Sequence, residues 1–489
     1  MDKLIQLCSQ ECDIENEWPE RSVEAFESLF GTPGGRYEKS AANNIQFRTP
    51  RIDDKGVPFS AIIHESNPSS GGYGGMSLVI CPVEGVEPMI AMIVGTQGIS
   101  PDEHIIGKPG HSRKMNAIVQ WLNAEYKKRA NDDTVVAWAK REAVRTDLKI
   151  PENVAKAFSP YKAIFNKYGK EIYGFCIGKE EILEDALRTF LDFHFEERGY
   201  LPLTAFRSEA DQLRKAWFHH LMPTVTSEGL KSLLEHRKYV ILQGPPGTGK
   251  TRLANEILLE DYKGRGDAIQ FHPNTTYESF IGGLFPQTDQ SAVGLSFKVT
   301  RGHLLHAVEK ANEDKENPYL LIIDEINRAD LAKVLGEAIY CFEPDEERSV
   351  RLSYDFGGTV GHRLTMPKNL HVLGTMNTAD RSIAILDVAI RRRFAFLDMW
   401  PQVDVVEKLG TDRTKDAYHK LLNIFIEYAS EDSFVLMPGH SYFIANDEGI
   451  ADKQLKSSLI PLLKEYIDQG YITSFLDAIH AYIQEIDRS

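Results

Sequence analysis

Four short segments carry the groups that could act on a triphosphate. Gly244-Pro245-Pro246-Gly247-Thr248-Gly249-Lys250-Thr251 has the spacing G-x-x-x-x-G-K-[ST]. A strand is expected just before it (239–243) and a helix just after it (250–260). Glycines at these positions let the backbone wrap closely, so that its N–H groups point at phosphate oxygens, and a helix N-terminus adds a favourable dipole. Lys250 would reach the β- and γ-phosphates, and the Thr251 hydroxyl would hold Mg²⁺. Downstream, the apolar run Tyr319–Ile323 ends in Asp324-Glu325. Carboxylates at the C-terminal end of a parallel strand lie beside the ligand crevice. Asp324 would bind Mg²⁺, directly or through water, and Glu325 would polarise the attacking water as general base. A further strand ends in Thr375-Met376-Asn377-Thr378-Ala379-Asp380-Arg381-Ser382. Asn377 would lie between the phosphate-loop strand and the acid pair and orient that water. Finally, Asp387-Val388-Ala389-Ile390 leads into Arg391-Arg392-Arg393-Phe394 at an expected helix end. An arginine inserted from a neighbouring subunit stabilises charge on the transferring phosphoryl group. Such a role requires a ring or filament of subunits.

The elements that must position these groups follow from apolar patterning. Tyr239–Leu242, Ala268–Phe271, Tyr319–Ile323 and Leu370–Gly374 are continuous apolar runs alternating with helical segments. That pattern gives an α/β domain over about 233–400, with a parallel sheet covered on both faces. Residues 401–489 read as helical, including 459–466 and 472–486, and form a lid-sized bundle. Before the α/β domain, residues 1–20 are a polar arm. Residues 21–125 form an α+β module with strands at 59–63, 76–80 and 89–94 and a helix over 113–128. Residues 126–232 read as a helical connector broken by Pro151, Pro160 and Pro202.

Composition narrows the class. The chain has 489 residues, a formal charge of −15 and 42% apolar residues, enough for several buried cores. No apolar run reaches the length of a membrane span, and the first residues show no secretory signal pattern. The five cysteines are scattered (Cys8, Cys12, Cys81, Cys176, Cys341), which suits a reducing cytoplasm rather than a disulfide framework. Cys8 and Cys12 lie one helical turn apart without a second pair, so they read as apolar helix positions. The acidic balance argues against general nucleic-acid coating, but Lys108–Lys149 holds ten Lys/Arg against five acids. Phosphate contacts would come from Arg113, Lys114, Lys127, Lys128 and Arg129; a solvated helix face is the plainer reading of the same run. Trp121 and Tyr126 could stack on bases, but at that spacing they read as core. Asp53-Asp54-Lys55 superficially suggests a nuclease triad, lacks a strand setting and reads as a turn.

Residues 235–470 resemble the AAA+ module of McrB-like proteins, the motor subunits of modification-dependent restriction systems. The resemblance is carried by 244–251, Phe271-His272-Pro273, Tyr277–Ile281, Ile323–Ala329, Gly374–Ser382, Arg391–Phe394, Gly439–Phe443 and Ile460–Leu463. It implies an AAA+ P-loop fold with a helical lid and a hexameric ring with nucleotide between subunits. It also implies GTP as the nucleotide, ATP being the alternative, with Asn377 and Asp380 in the family's signature element. A separate McrC-like subunit would stimulate hydrolysis and carry the nuclease. In such proteins the N-terminal position holds a DNA-recognition module, often for a modified base. Here Gly71–Gly75, Gly95–Gly98 and His111–Lys114 are the candidate contacts. The resulting expectation is a ring motor in antiphage restriction; the rival is a MoxR- or dynein-like chaperone that remodels protein.

Overall fold

The apolar runs expected as strands before residue 100 do pair, but in a sheet larger than the first 125 residues can supply. In the computed structural model, which describes all residues except 32, 50–55, 70, 98–101, 143, 289–294, 359, 381–387 and 489, six strands form this sheet. They are β1 (Ile45–Arg48), β2 (Ser60–His64), β3 (Gly74–Val83), β4 (Val86–Thr96), β5 (Ala137–Ala139) and β6 (Ile172–Ile177). The order is β1-β2-β3-β4-β6-β5, with every neighbour antiparallel. The boundary expected near 125 is therefore wrong. It cuts the helix Pro109–Ala130, and two strands from the supposed helical connector complete the sheet. Short strands among helices leave little periodic signal, which is why 126–232 reads as helical.

Both faces of this sheet are covered, so its strands are apolar throughout rather than alternating. Ala61, Ile63, Val79, Cys81, Ala91 and Phe175 pack with Ile150 and with Phe158, Tyr161, Ile164 and Phe165 from a layer of short helices over 152–168. Helices Pro109–Ala130 and Leu183–Glu196 contact the strands as well. Trp121 and Tyr126 are buried, as expected of core residues. This first unit comprises Met1–Met222 and Ile426–Ser430.

The second unit comprises Pro223–Phe425 and Glu431–Ser489. Its strands are β7 (Tyr239–Gly244), β8 (Gly266–Gln270), β9 (Gly282–Thr288), β10 (Leu295–Arg301), β11 (Tyr319–Asp324), β12 (Ser349–Arg351), β13 (Arg363–Thr365), β14 (Leu370–Asn377) and β15 (Ala395–Asp398). Five of them make a parallel sheet in the order β15-β7-β14-β11-β8. Successive residues point to opposite faces. Ile241, Leu321, Ile323 and Val372 meet Leu304, Leu305 and Val308 of the helix His303–Glu313. Val240, Leu242, Leu320, Ile322 and Leu373 meet Leu230, Leu234, Ala254 and Ile257 on the other side. Leu230 and Leu234 belong to the helix Ser227–Arg237, so the second unit begins before the expected 233. The pairs β9/β10 and β12/β13 are antiparallel hairpins outside the expected strand set. Helices including Val403–Leu409, Glu448–Gln454, Ile460–Asp468 and Leu476–Arg488 follow the sheet. Among the described residues no helix is long and apolar enough to cross a membrane.

Candidate functional site

The phosphate loop joins β7 to the helix Lys250–Glu260. Gly247 and Gly249 adopt φ of 81° and 82°, a left-handed backbone that side chains disfavour, so the two glycines are what allows the wrap. Thr248 is buried, its hydroxyl donating to the Pro245 carbonyl at 3.0 Å. The Lys250 ammonium donates to the carbonyls of Gly244 (2.9 Å) and Pro245 (2.8 Å), beneath the loop it must serve. Burial pushes its pKa down to about 8, against the pull of the Glu325 and Asp324 carboxylates.

Strand order brings the acids to this loop. β14 lies between β7 and β11, with Asn377 opposite Gly244 and Gly374 opposite Ile323. The Thr251 hydroxyl donates to Asp324 Oδ1 at 2.9 Å. Thr375, which opens the polar strand end but carries no role in the sequence reading, donates to the same oxygen and accepts the Glu325 N–H at 3.3 Å. The detectable signal is its place two residues before Asn377, on the same face of one strand. Thr251 and Asp324 thus present hydroxyl and carboxylate oxygens within contact of each other, the donor chemistry a hard divalent cation takes. Glu325 sits at φ 52°, a left-handed conformation unusual for a residue with a β-carbon, and its Oε2 is 3.3 Å from the Arg328 Nε. Asn327 is buried and donates to the Asn377 carbonyl at 3.4 Å, while the Asn377 side chain accepts the Ala379 N–H at 3.1 Å. Asp380 lies just beyond the end of β14, half-buried; Arg381, Ser382 and Asp387 lie outside the described residues.

The lid segment that the family resemblance includes supplies a contact with a defined geometry. The Gly439 N–H donates to the Pro246 carbonyl (2.9 Å) and the Ser441 N–H to the Gly247 carbonyl (3.0 Å). A β-carbon on Gly439 would stand 2.0 Å from the Gly247 carbonyl carbon. His440 is buried, its Nδ1 accepting the Gln402 N–H at 3.2 Å, so Nε2 carries the proton of the neutral ring. Burial, with Arg252 adding to it, pushes the His440 pKa down to about 4.

The arginine run ends the helix Val388–Arg393, and its three members differ. Arg391 lies over the Phe396 ring at 5.4 Å. Arg392 has a side chain 62% exposed, 3.7 Å from Glu343. Arg393 is buried, donates to the Ala389 carbonyl at 2.9 Å and lies 3.4 Å from the same Glu343 oxygen. Arg393 is therefore an internal strut of the chain, correcting the expectation that it reaches a neighbour; a buried guanidinium cannot be presented outward.

Of the expected DNA contacts in the first unit, Arg113 and Lys114 are corrected by what they already touch. Arg113 is buried and donates to the carbonyls of Ile426 and Ala429, each at 2.7 Å. Lys114 is largely covered and pairs with Glu197 and Glu427. Lys127, Lys128 and Arg129 are exposed, but each faces an acid: Asp133 at 2.6 Å, Glu125 at 3.7 Å and Asp185 at 2.6 Å. His111 is buried against Tyr173. Asp53, Asp54, Lys55 and Gly98 lie outside the described residues.

Residues 239–394 match the family described as AAA domain (dynein-related subfamily). The chain is 31% identical over 353 residues to the Type IV methyl-directed restriction enzyme EcoKMcrB subunit of Escherichia coli (strain K12), covering 65% of this chain and 75% of that protein. It is 26% identical over 203 residues to the Type II restriction enzyme BsuMI component YdiS of Bacillus subtilis (strain 168), covering 34% of this chain and 57% of that one.

Proposed function

The chain belongs to the McrB family, and from that premise we propose that it is the nucleoside-triphosphatase motor of a DNA-restriction system. One observation carries the reading. Lys250, Thr251, Asp324, Glu325 and Asn377 lie together at the C-terminal ends of β7, β14 and β11, with Thr251 and Asp324 already in contact at 2.9 Å. Thr251 and Asp324 would hold Mg²⁺, which supplies charge neutralisation at the phosphates when bound. Lys250 in its protonated form steadies the β- and γ-phosphates. Glu325 takes the proton of a water that Asn377 orients. The new bond forms from that water to the γ-phosphorus, and the bond to the bridging oxygen breaks, leaving a nucleoside diphosphate and phosphate.

Arg392 is the group that a neighbouring site would receive, which calls for a ring, hexameric by likeness to the family. The phosphate loop contacts phosphates and is indifferent to the base; likeness to McrB favours GTP over ATP. An McrC-like subunit would carry the nuclease and raise turnover, and the first unit would engage DNA, modified or plain. The setting is the cytoplasm, in antiphage defence. The test measures GTP and ATP turnover by the full chain, with and without the product of a neighbouring nuclease gene, on plain and 5-methylcytosine duplexes. The reading expects GTP turnover that rises with the partner and with DNA. Turnover of ATP alone, stimulated by a protein substrate and not by DNA, would place the chain among remodelling chaperones instead.

A further inference from the structure

The helical layer over one face of the six-stranded sheet has an outer surface rich in unpaired cations. Residues 141–170 contain seven Lys/Arg (Arg141, Arg145, Lys149, Lys156, Lys162, Lys167, Lys170) and three acids (Glu142, Asp147, Glu152), in a chain whose formal charge is −15. All seven basic residues are exposed. Their neighbours Ile150, Phe158, Tyr161, Ile164 and Phe165 point the other way, into the sheet's core. Arg145 is held by Asp147 at 2.8 Å, and Lys167 lies over the Tyr168 ring. Arg141, Lys149, Lys156, Lys162 and Lys170 make no ion pair among the described residues, unlike Lys127, Lys128 and Arg129 on the helix Pro109–Ala130.

The fold fixes part of this surface in place. Lys140 is buried, and its ammonium donates to the carbonyls of Lys170 and Arg145, tying Arg145 to a residue that follows the short helices. The Ile150 N–H donates to the Gly169 carbonyl at 3.1 Å, which sets Lys149 beside Lys170. Val144 and Leu148, each 49% exposed, stand among these charges. A surface of unpaired ammonium groups with interspersed exposed apolar side chains is complementary to a duplex, whose phosphates take the cations and whose groove covers apolar groups.

We infer that Arg141, Lys149, the helices over 152–168 and Lys170 form the surface on which duplex DNA docks. The inference rests on the reading of the first unit as a DNA-binding module and names the face that does it. The experiment uses the full chain and fluorescein-labelled 30-base-pair duplexes, plain and carrying 5-methylcytosine, titrated by anisotropy across a salt series. The variant combines Lys149→Gln, Lys156→Gln, Lys162→Gln and Lys170→Gln; the comparison variant combines Lys127→Gln and Lys128→Gln. Each ammonium removed leaves one phosphate without its cation. The slope of log affinity against log salt should therefore flatten by about 3 to 4, and affinity near 0.1 M salt should fall at least about 100-fold. The comparison variant should bind as the parent does, and both should melt within a few degrees of it. Parent-like affinity and slope in the fourfold variant overturn the assignment of this face while leaving DNA binding intact. No binding of either duplex by the parent chain, with or without nucleotide, overturns the DNA reading itself. Tighter binding of an RNA hairpin of equal length overturns the choice of duplex DNA.

Discussion

Replacing Gly439 by alanine tests whether the lid turn on the phosphate loop controls nucleotide binding. The native φ of Gly439 is −66°, which alanine adopts without strain, so any effect comes from the added methyl group alone. That methyl would stand 2.0 Å from the Gly247 carbonyl carbon, 2.2 Å from its oxygen and 2.4 Å from the Thr248 nitrogen. All three are backbone atoms of the loop, so no rotamer change relieves the overlap, and the turn must lift. Lifting it breaks the Gly439–Pro246 and Ser441–Gly247 hydrogen bonds. At about 1 kcal/mol each, the cost is about 2 kcal/mol, or roughly 30-fold in an equilibrium constant. Where nucleotide binds only the form with the turn down, titration with a fluorescent GTP or ATP analogue should show a dissociation constant raised by about that factor. Gly449→Ala is the matched control, because its methyl would meet only the Asp447 carboxylate oxygen at 3.3 Å. Wild-type affinity and turnover in Gly439→Ala would refute the reasoning, since the overlap cannot be absorbed with the turn in place.

Two further outcomes follow from the site. Lys250 would bind phosphate only as the ammonium, and its pKa is depressed to about 8, so nucleotide affinity should fall roughly tenfold as pH rises from 7 to 9; affinity that is flat or increases over that range would contradict the assignment, and Lys250→Ala should abolish binding at every pH. Glu325→Gln subunits should hold nucleotide without turning it over, and mixing them with Arg392→Ala subunits should restore activity at mixed interfaces, whereas Arg393→Ala should chiefly lower the melting temperature because that side chain is internal; failure to recover at any mixing ratio would remove the trans-acting role of Arg392.

The parallel sheet is legible in the sequence because its strands are buried on both faces. Tyr319–Ile323 and Tyr239–Leu242 are continuous apolar runs, and each leads directly into its chemistry. A motif tied to a strand end fixes one boundary of the element, so Lys250–Glu260 has the limits expected of it. The six-stranded sheet is legible only in β2, β3 and β4. Ala137–Ala139 is three residues long and Ile172–Ile177 stands between helices, so neither has a neighbour in sequence to announce the pairing. Their partners are set by contacts across many tens of residues, which local pattern does not carry. The hairpin β9/β10 is hidden for a different reason: it carries exposed apolar groups such as Phe297, 63% exposed, so no buried stripe marks it.

The same distinction decides how the charged residues should be interpreted. A count along the chain weights every lysine and arginine equally, and so gives Arg113 and Lys114 the same standing as any surface cation. Yet a cation's capacity to hold a phosphate depends on what it already touches. Arg113 satisfies two buried carbonyls, and Lys114 lies between two carboxylates, so withdrawing either would leave buried polar groups without partners. Arg392 and Arg393 are adjacent in sequence and separated by the same criterion: one is exposed and lightly held, the other is internal. Within 141–170 the criterion runs the opposite way, because most of the cations make no ion pair among the described residues. Pairing is a tertiary property, and it assigns to the layer over the sheet, rather than to the helix Pro109–Ala130, the positive surface that an acidic chain can offer to a polyanion.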